Sequence, residues 1–450
     1  MTTKTPDGIV WPGLATVDDA GLRALQSQLA DTQWMSASEL IARQMVQLRR
    51  LAAHATATTA FHADRLAPLL TASDAPPTMS DLRKVPIMTR QDLQIHGRSI
   101  RSSALPASHA PVDELRSSGS TGEPVGVLTT AVTALFYVAF NLRLHAWHDK
   151  DFAADVAAIK VLRGDETEHS ARDRPLPWVP GDAGGRMYVF EISRPVSEQL
   201  AWLQAHDPAY LLTYPSNLRE LLQRSREIGY RPPNLRAVNT MSETVESGLR
   251  RACREIWNVP VIDAYSAIEC GMIALQCPDN DHYHVQAENV IVEIIDDTGQ
   301  PCVPGQHGRV LVTDLHNFAM PLIRYAIGDF ATVGKPCSCG RGLPVIGRVL
   351  GRSRNMVRYP DGDSAWPTAW LSTSMNRIAD IRGIQMVQHS TEEIEVRLIV
   401  PRKLPAATEG KLGEYFIERL GHPFRFRFSY VDALERSAGG KFEDFICRIP

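Results

Sequence analysis

Hydrophobic and polar positions along this chain fall into three successive regimes. From about residue 15 to 70, apolar residues recur at helical spacing in a stretch rich in Ala, Leu and Gln. Leu40 to Ala53 is the clearest run, and Asp18 or Asp19 can cap an earlier helix. A short apolar link, Lys84-Val85-Pro86-Ile87-Met88, leads into Thr89-Arg90-Gln91-Asp92-Leu93, which reads as a capped helix start. Ala131 to Trp147 is apolar almost all round and predicts a buried helix.

The second regime, 209–265, is a β-α-β-α-β rhythm. Ala209 to Tyr214 reads as a strand; Pro215 suits a first helical position and Gly229 a helix end. Leu235 to Thr240 is a second strand, a helix follows from about Glu243 to Trp257, and Pro260 to Tyr265 is a third strand. Such alternation implies parallel strands with right-handed crossovers. Open sheets of this kind bind ligands where the chain leaves the strands. Tyr214-Pro215-Ser216, Asn239 to Glu243 and Tyr265 to Gly271 are therefore expected to converge.

In the third regime, Val290 to Asp296 and Arg309 to Leu315 alternate like antiparallel strands around a Gly305/Gly308 turn. Beyond about residue 352, strands Glu393 to Val400 and Phe424 to Val431 and a helix near Glu409 to Leu420 suit a small α+β unit. The fold class is α/β: a large N-terminal part with parallel sheets and a smaller sheet, then the small C-terminal part.

Composition narrows the classes. With 450 residues the chain can hold a large domain and a smaller one; 44% hydrophobic and 22% charged content is ordinary for a globular protein. A net charge of −3 gives no basic field for nucleic acid. No run of about 18 apolar residues predicts a membrane span, and the first residues lack the apolar core of a secretory signal. Seven cysteines are an odd, sparse set that suits reduced thiols or metal. A cytoplasmic location is expected.

Ser117-Ser118-Gly119-Ser120-Thr121-Gly122-Glu123-Pro124 is the candidate phosphate loop. Glycines let the backbone approach an anion, and hydroxyls add donors. It lacks the lysine of the common NTPase loop. Cys337-x-Cys339, with Cys277 and His284 seven residues apart upstream, offers three thiolates and one imidazole. That is a closed set of the kind that holds structural zinc; His282 is the competing histidine. Phe136, Tyr137, Phe140, Tyr214, Asn239, Met241 and Ala264 are candidate walls of a substrate pocket, suited to a flat aryl acid. Cys253, Cys270, Cys302 and Cys447 read as small packing residues.

SSGSTGEP, AYSAIECG, PLIRYAIGD, GRVLGRS and SAGGKFEDF occur in the order found in adenylate-forming enzymes, the superfamily of acyl-CoA synthetases and adenylation domains. MPLIRYAIGD followed by CSCGRGLPVIGR resembles the phenylacetate-CoA ligase branch, and within it the members grouped with capsule-biosynthesis proteins. The resemblance runs from about residue 85 to the C-terminus. It implies an N-terminal adenylate-forming domain, 1–351, and a mobile C-terminal lid, 352–450, turning about a hinge near Arg354.

The implied chemistry has two steps: a carboxylate attacks the α-phosphate of ATP to give acyl-AMP and pyrophosphate, then a thiol or amine displaces AMP. Ser117 to Gly122 would close over the phosphates. Tyr265 would stack near adenine, Glu269 would hold Mg2+, and Asp329 would accept bonds from both ribose hydroxyls. Arg352 would reach ribose and phosphate, and Lys441 would bond the carboxylate and α-phosphate during adenylation. Ser242, Glu243, Ala264, Ser266 and Arg348 complete the implied nucleotide contacts. Some relatives in this branch carry a Cys/His zinc site at matching places, so the resemblance implies one here.

Three positions depart from the pattern: Glu123 for a frequent lysine, Ile268 for a hydroxyl residue, and Arg354 for an aspartate or lysine hinge. The expected function is an ATP-dependent ligase using Mg2+ and CoA, with structural Zn2+. An enzyme with an amine or carrier-protein acceptor, in natural-product or polysaccharide biosynthesis, is the alternative. A non-catalytic nucleotide-binding homologue is a third reading, which Glu269, Asp329, Arg352 and Lys441 together oppose. The partners are a small carboxylic acid, ATP and an acceptor, with no nucleic acid or membrane; a homodimer is the expected assembly.

Overall fold

The computed structural model describes residues 6–70, 75–116, 125–180, 184–352, 355–367, 375–434, 436 and 441–449. The chain divides into two compact units, each built from two stretches: residues 1–151 with 264–350, and residues 152–263 with 351–450.

In the first unit the N-terminal helices form where local caps demand them. Asp18 accepts from Ala20 N and Gly21 N to start Asp19–Thr32. Ser36 with Glu39 starts Ala37–Thr58, and Thr89 with Asp92 starts Arg90–Ile100; both are reciprocal capping boxes. The helix Ala131–Trp147 forms over the expected residues, but it is not buried all round. Val132, Phe136, Ala139, Phe140, Arg143, Leu144 and Trp147 form one buried stripe, while Tyr137 is 46% exposed. An apolar sequence thus presents a single stripe to the core, with an aromatic ring left open beside it.

The sheet of this unit has seven strands, in the order Val290–Ile295, His307–Asp314, Tyr325–Val333, Val345–Arg352, Tyr283–Val285, Gly271–Gln276 and Ala264–Ala267. The expected antiparallel pair near 290–315 is present in register, Val290 opposite Asp314. Two buried ion pairs tie distant stretches to it. Arg143 donates to both carboxylate oxygens of Glu288 (2.8 and 3.1 Å), to Gln286 (2.7 Å) and to the Leu29 carbonyl, while Thr32 also donates to Glu288. Arg324 grips Glu293 with two bonds of 3.0 and 3.1 Å and donates to the Arg83 and Val85 carbonyls. Removing either partner of such a pair strands a buried charge.

The second unit holds the β-α-β-α-β stretch. Its six strands run Leu176–Pro177, Arg186–Glu191, Val156–Lys160, Tyr210–Thr213, Ala237–Thr240 and Val261–Ile262, all parallel except the first pair. Pro215 begins the helix Pro215–Ile228, and Gly229, at φ +68, ends it. Two expectations are corrected. The helix placed from Glu243 begins only at Ser247, because Ser242 adopts φ +68 and the Glu243 carboxylate is drawn to Ser216. The strand placed over Pro260 to Tyr265 is two strands: it breaks at Asp263, which accepts from the Thr240 hydroxyl at 2.8 Å, and Ala264–Ala267 joins the seven-stranded sheet.

The C-terminal stretch builds a four-stranded sheet, Arg425–Tyr430, Glu393–Ile399, Gly383–Gln388 and Phe445–Cys447, with the helix Ala406–Leu420. Met386, Ile394, Val396, Leu398, Leu412, Phe416 and Phe445 are its buried core. Glu395 sits on this sheet. Burial pushes its carboxyl up, but bonds from His389, Ser429 and Arg397 win and hold it at about 2. Since the folded value lies below the ordinary 4.5, the contribution to stability is complete above pH 4.5 and is lost as pH falls through about 2. Glu395→Gln should therefore flatten the acid limb of the unfolding midpoint against pH. An unchanged limb would show that these bonds do not matter to folding.

Candidate functional site

The first unit carries Glu269, Tyr265 and Asp329. Arg324 (φ +52) starts the chain into the strand Tyr325–Val333, and the segment before the Arg90 helix docks alongside: Met88 N donates to the Arg324 carbonyl, Ala326 N to the Met88 carbonyl. That docking brings Arg90 Nη1 to 3.5 Å from Glu269 Oε1, in the turn between Ala264–Ala267 and Gly271–Gln276. Glu269 is 6% exposed, so it presents a nearly dehydrated carboxylate with a cation in reach. Asp329 follows Gly328, whose φ of +88 turns the strand there. The Tyr265 hydroxyl donates to Asp329 Oδ2 at 2.8 Å; the Tyr265 ring itself is buried in the core. Tyr265 thus fixes one oxygen of Asp329, a contact that sequence reasoning did not foresee.

Cys270, next to Glu269, is fully enclosed. Burial first, then the carboxylates of Asp314, Glu269 and Asp329, hold its thiol well above its ordinary range, which disfavours the reactive thiolate. Asp314 is itself pushed up by burial to about 7. Among the remaining residues expected at the nucleotide, Ala264 and Arg352 are half-buried, and Ser266 and Arg348 are exposed. Ser117, Ser118, Gly119, Ser120, Thr121 and Gly122, with Glu123 and the hinge candidate Arg354, lie outside the described residues. The hairpin that flanks the loop, Val112–Arg116 against Gly126–Thr130, is in register with Arg116 opposite Gly126.

Of the expected pocket walls, Phe136 and Phe140 are fully buried, and the Phe136 ring stacks on His316 at 4.0 Å. Tyr137, from the exposed side of the same helix, lies against Gly271. Tyr214, Asn239 and Met241 stand in the second unit at the ends of its parallel strands, the first two buried.

The second unit also brings together Glu243 and the terminal segment around Lys441. Glu243 accepts from Ser216 N (2.9 Å), the Ser216 hydroxyl (3.0 Å) and Phe442 N (2.6 Å). Burial raises its carboxyl above the ordinary range, against the pull of those bonds. Two of the loops expected to converge, at 214–216 and 239–243, do meet here. Lys441 is half-buried beside Phe442.

Cys277, His284, Cys337 and Cys339 place their ligand atoms within 4.8 Å of one another, the one such group of three or more among the described residues. Cys277 Sγ lies 3.8 Å from Cys337 Sγ, and Cys339 Sγ 3.4 Å from His284 Nε2. Metal–ligand lengths of about 2.3 Å for sulfur and about 2.0–2.1 Å for nitrogen, set tetrahedrally, give edges of about 3.8 and 3.5 Å. The donor set therefore fits zinc in chemistry, and the Cys277–Cys337 and Cys339–His284 separations match the spacing. Burial first, then His282, lowers the His284 imidazole to about 4, leaving it neutral as a ligand must be. His282 falls outside the group, because the strand that aims His284 inward begins only at Tyr283. Around the group, Trp147 sets its edge to His284, and Arg341 lies over the rings of Trp34 and Trp147.

Residues 47–319 match the AMP-binding enzyme family, and residues 368–448 match the CapK C-terminal domain. A phenylacetate-coenzyme A ligase of Thermus thermophilus is 25% identical over 306 residues, 64% of this chain and 65% of the relative. The Escherichia coli K12 enzyme of the same name is 26% identical over 289 residues, 62% and 63% respectively. The chain thus spans somewhat less than two thirds of these two curated relatives. The fold is shared with 2-hydroxyisobutyryl-CoA ligase solved in complex with 2-HIB-AMP: TM-score 0.71 at 17% identity, over 92% of this chain and 90% of that one. Because the family match takes in more than half of the sequence and the fold agrees with it, the chain belongs to the AMP-binding enzymes, with a C-terminal domain of the CapK kind.

Proposed function

We propose that this protein is an ATP-dependent ligase that activates an aryl or acyl carboxylic acid as acyl-AMP and passes the acyl group to CoA. The Tyr265–Asp329 pair carries this reading: a half-buried carboxylate with one oxygen fixed by a phenol is suited to accept two neighbouring ribose hydroxyls. In the first step a substrate carboxylate oxygen bonds to the α-phosphorus as the bond to the pyrophosphate oxygen breaks. In the second, a thiolate bonds to the acyl carbon and AMP leaves with the bonding pair. Glu269 would hold Mg2+, which neutralises phosphate charge; Ser117 to Gly122 receive the phosphates, and Arg352 reaches ribose and phosphate. Lys441 serves the first step.

The match to the CapK C-terminal domain favours a second acceptor, an amine or carrier-protein thiol in polysaccharide assembly. Pyrophosphate exchange over a panel of acids, followed by acceptor trials with CoA and amines, tests both. Exchange with at least one aryl or acyl acid is expected, and exchange with none would overturn the ligase reading. All seven cysteines are free, in keeping with a cytoplasmic enzyme, and no described helix is long and apolar enough to cross a membrane.

Zinc at Cys277, His284, Cys337 and Cys339 has a structural role in this reading. Purified protein should contain about one zinc ion, as one closed four-ligand site requires. Cys339→Ser should lower the melting temperature far more than it lowers the rate of adenylation, because metal affinity is folding energy. Metal analysis finding no zinc would end this assignment.

A further inference from the structure

Lys441 sits in a segment that is fastened on both sides. Upstream, Arg436 Nη1 donates to the Ser216 hydroxyl at 2.6 Å and lies 3.6 Å from Glu243 Oε1, while Nη2 reaches Glu220 at 3.1 Å. Downstream, Asp444 accepts from Arg219 Nη1 at 3.3 Å, and Arg219 Nη2 is 3.8 Å from Glu246. Between them, Phe442 N donates to Glu243 Oε1. Ser216, Arg219 and Glu220 are three and four residues apart on Pro215–Ile228, so one helix face supplies most of these partners.

We propose that this face, with Glu243, is a releasable seat that positions Lys441 for adenylation, and that Arg219 and Arg436 are positioning residues for the first half-reaction. The proposal rests on the ligase reading of Lys441. The chemistry of the contacts supports release. The charged partners of these pairs, Arg219, Asp444, Arg436 and Glu220, all keep contact with water, so each pair is individually weak and exchangeable. The bond that links the seat to the lysine is the Phe442 N–H, which belongs to the peptide bond leaving Lys441. Trypsin cuts that same bond, and a protease must pull it into an extended strand, which it cannot do while Glu243 holds it.

The test uses the full chain in two arms. In the first, mass spectrometry follows tryptic cleavage after Lys441 without ligands, with cleavage after the exposed Arg226 as the internal reference. Arg219→Ala should raise cleavage after Lys441 about tenfold and leave the reference unchanged. Asp444→Ala should do the same, and the double variant should be no worse than either alone, as expected when the two act through one contact. In the second arm, with phenylacetate as the probe acid, pyrophosphate exchange should fall about tenfold in Arg219→Ala, while transfer to CoA from synthetic phenylacetyl-AMP stays at the wild-type rate. Unchanged cleavage after Lys441, or equal rises at both sites, overturns the seat. Equal loss in both half-reactions overturns it as well. Absence of exchange in the wild type with any acid instead counts against the ligase reading, while the cleavage ratio still decides the seat.

Discussion

Lys441→Ala should slow acyl-AMP formation by about two to three orders of magnitude, the usual size for losing one electrostatic stabiliser of a developing charge. In adenylation, negative charge gathers on the α-phosphate oxygens while the substrate carboxylate closes on phosphorus. An ammonium placed there is worth more in the transition state than in the ground state, so its loss appears in kcat rather than only in KM. Thioester formation needs no such cation at phosphorus. Supplied with preformed acyl-AMP, the same variant should transfer the acyl group at close to the wild-type rate. Equal loss in both assays would mean that Lys441 serves one fixed site through both steps, and the proposed exchange of the 352–450 part between two working positions would fall with it.

Asp329→Ala should weaken ATP binding by about two to four orders of magnitude. Two ribose hydroxyls bonded to one carboxylate make two charge-assisted bonds, worth about 1.5–3 kcal/mol each. Tyr265→Phe is the finer test. It removes the 2.8 Å bond that orients Asp329 while leaving the carboxylate in place, and should cost about tenfold, in line with one ordinary hydrogen bond. Titration calorimetry with ATP measures both. Unchanged affinity in Asp329→Ala would reduce that residue to a turn-former after Gly328.

Much of this fold was legible because its signals are local. Asp18, Thr89, Pro215 and Gly229 fix helix ends within a few residues of themselves, and the strands near 210, 238 and 262 announce their parallel order by the helices between them. What could not be read is non-local. The residues after Glu243 look helical, but partners 27 and 199 residues away hold that carboxylate in a loop. Likewise, 260–265 reads as one strand despite the strand-poor Asp263 at its middle, and the bond from the Thr240 hydroxyl shows why it breaks there. The Cys/His cluster was visible as two short-range pairs, whereas the choice of His284 over His282 depended on where one strand begins. The Tyr265–Asp329 bond spans 64 residues and carries no sequence signature.

The Arg143–Glu288 pair has a consequence for how the protein is made. Its partners are 145 residues apart, and every strand of the sheet that Glu288 adjoins is encoded after residue 263. A nascent chain that has emerged only as far as Asp151 therefore holds a guanidinium bound for burial, and an apolar stripe on the 131–147 helix, with the Asp19–Thr32 helix to pack against but without Glu288 or the sheet. The first compact unit cannot close until the ribosome has added the intervening 152–263 stretch and most of 264–350. Translation order and folding order are thus inverted for the N-terminal helices, which must wait in a state prone to self-association. Chaperone demand during synthesis should peak in that interval and fall once the last strand of the seven is complete.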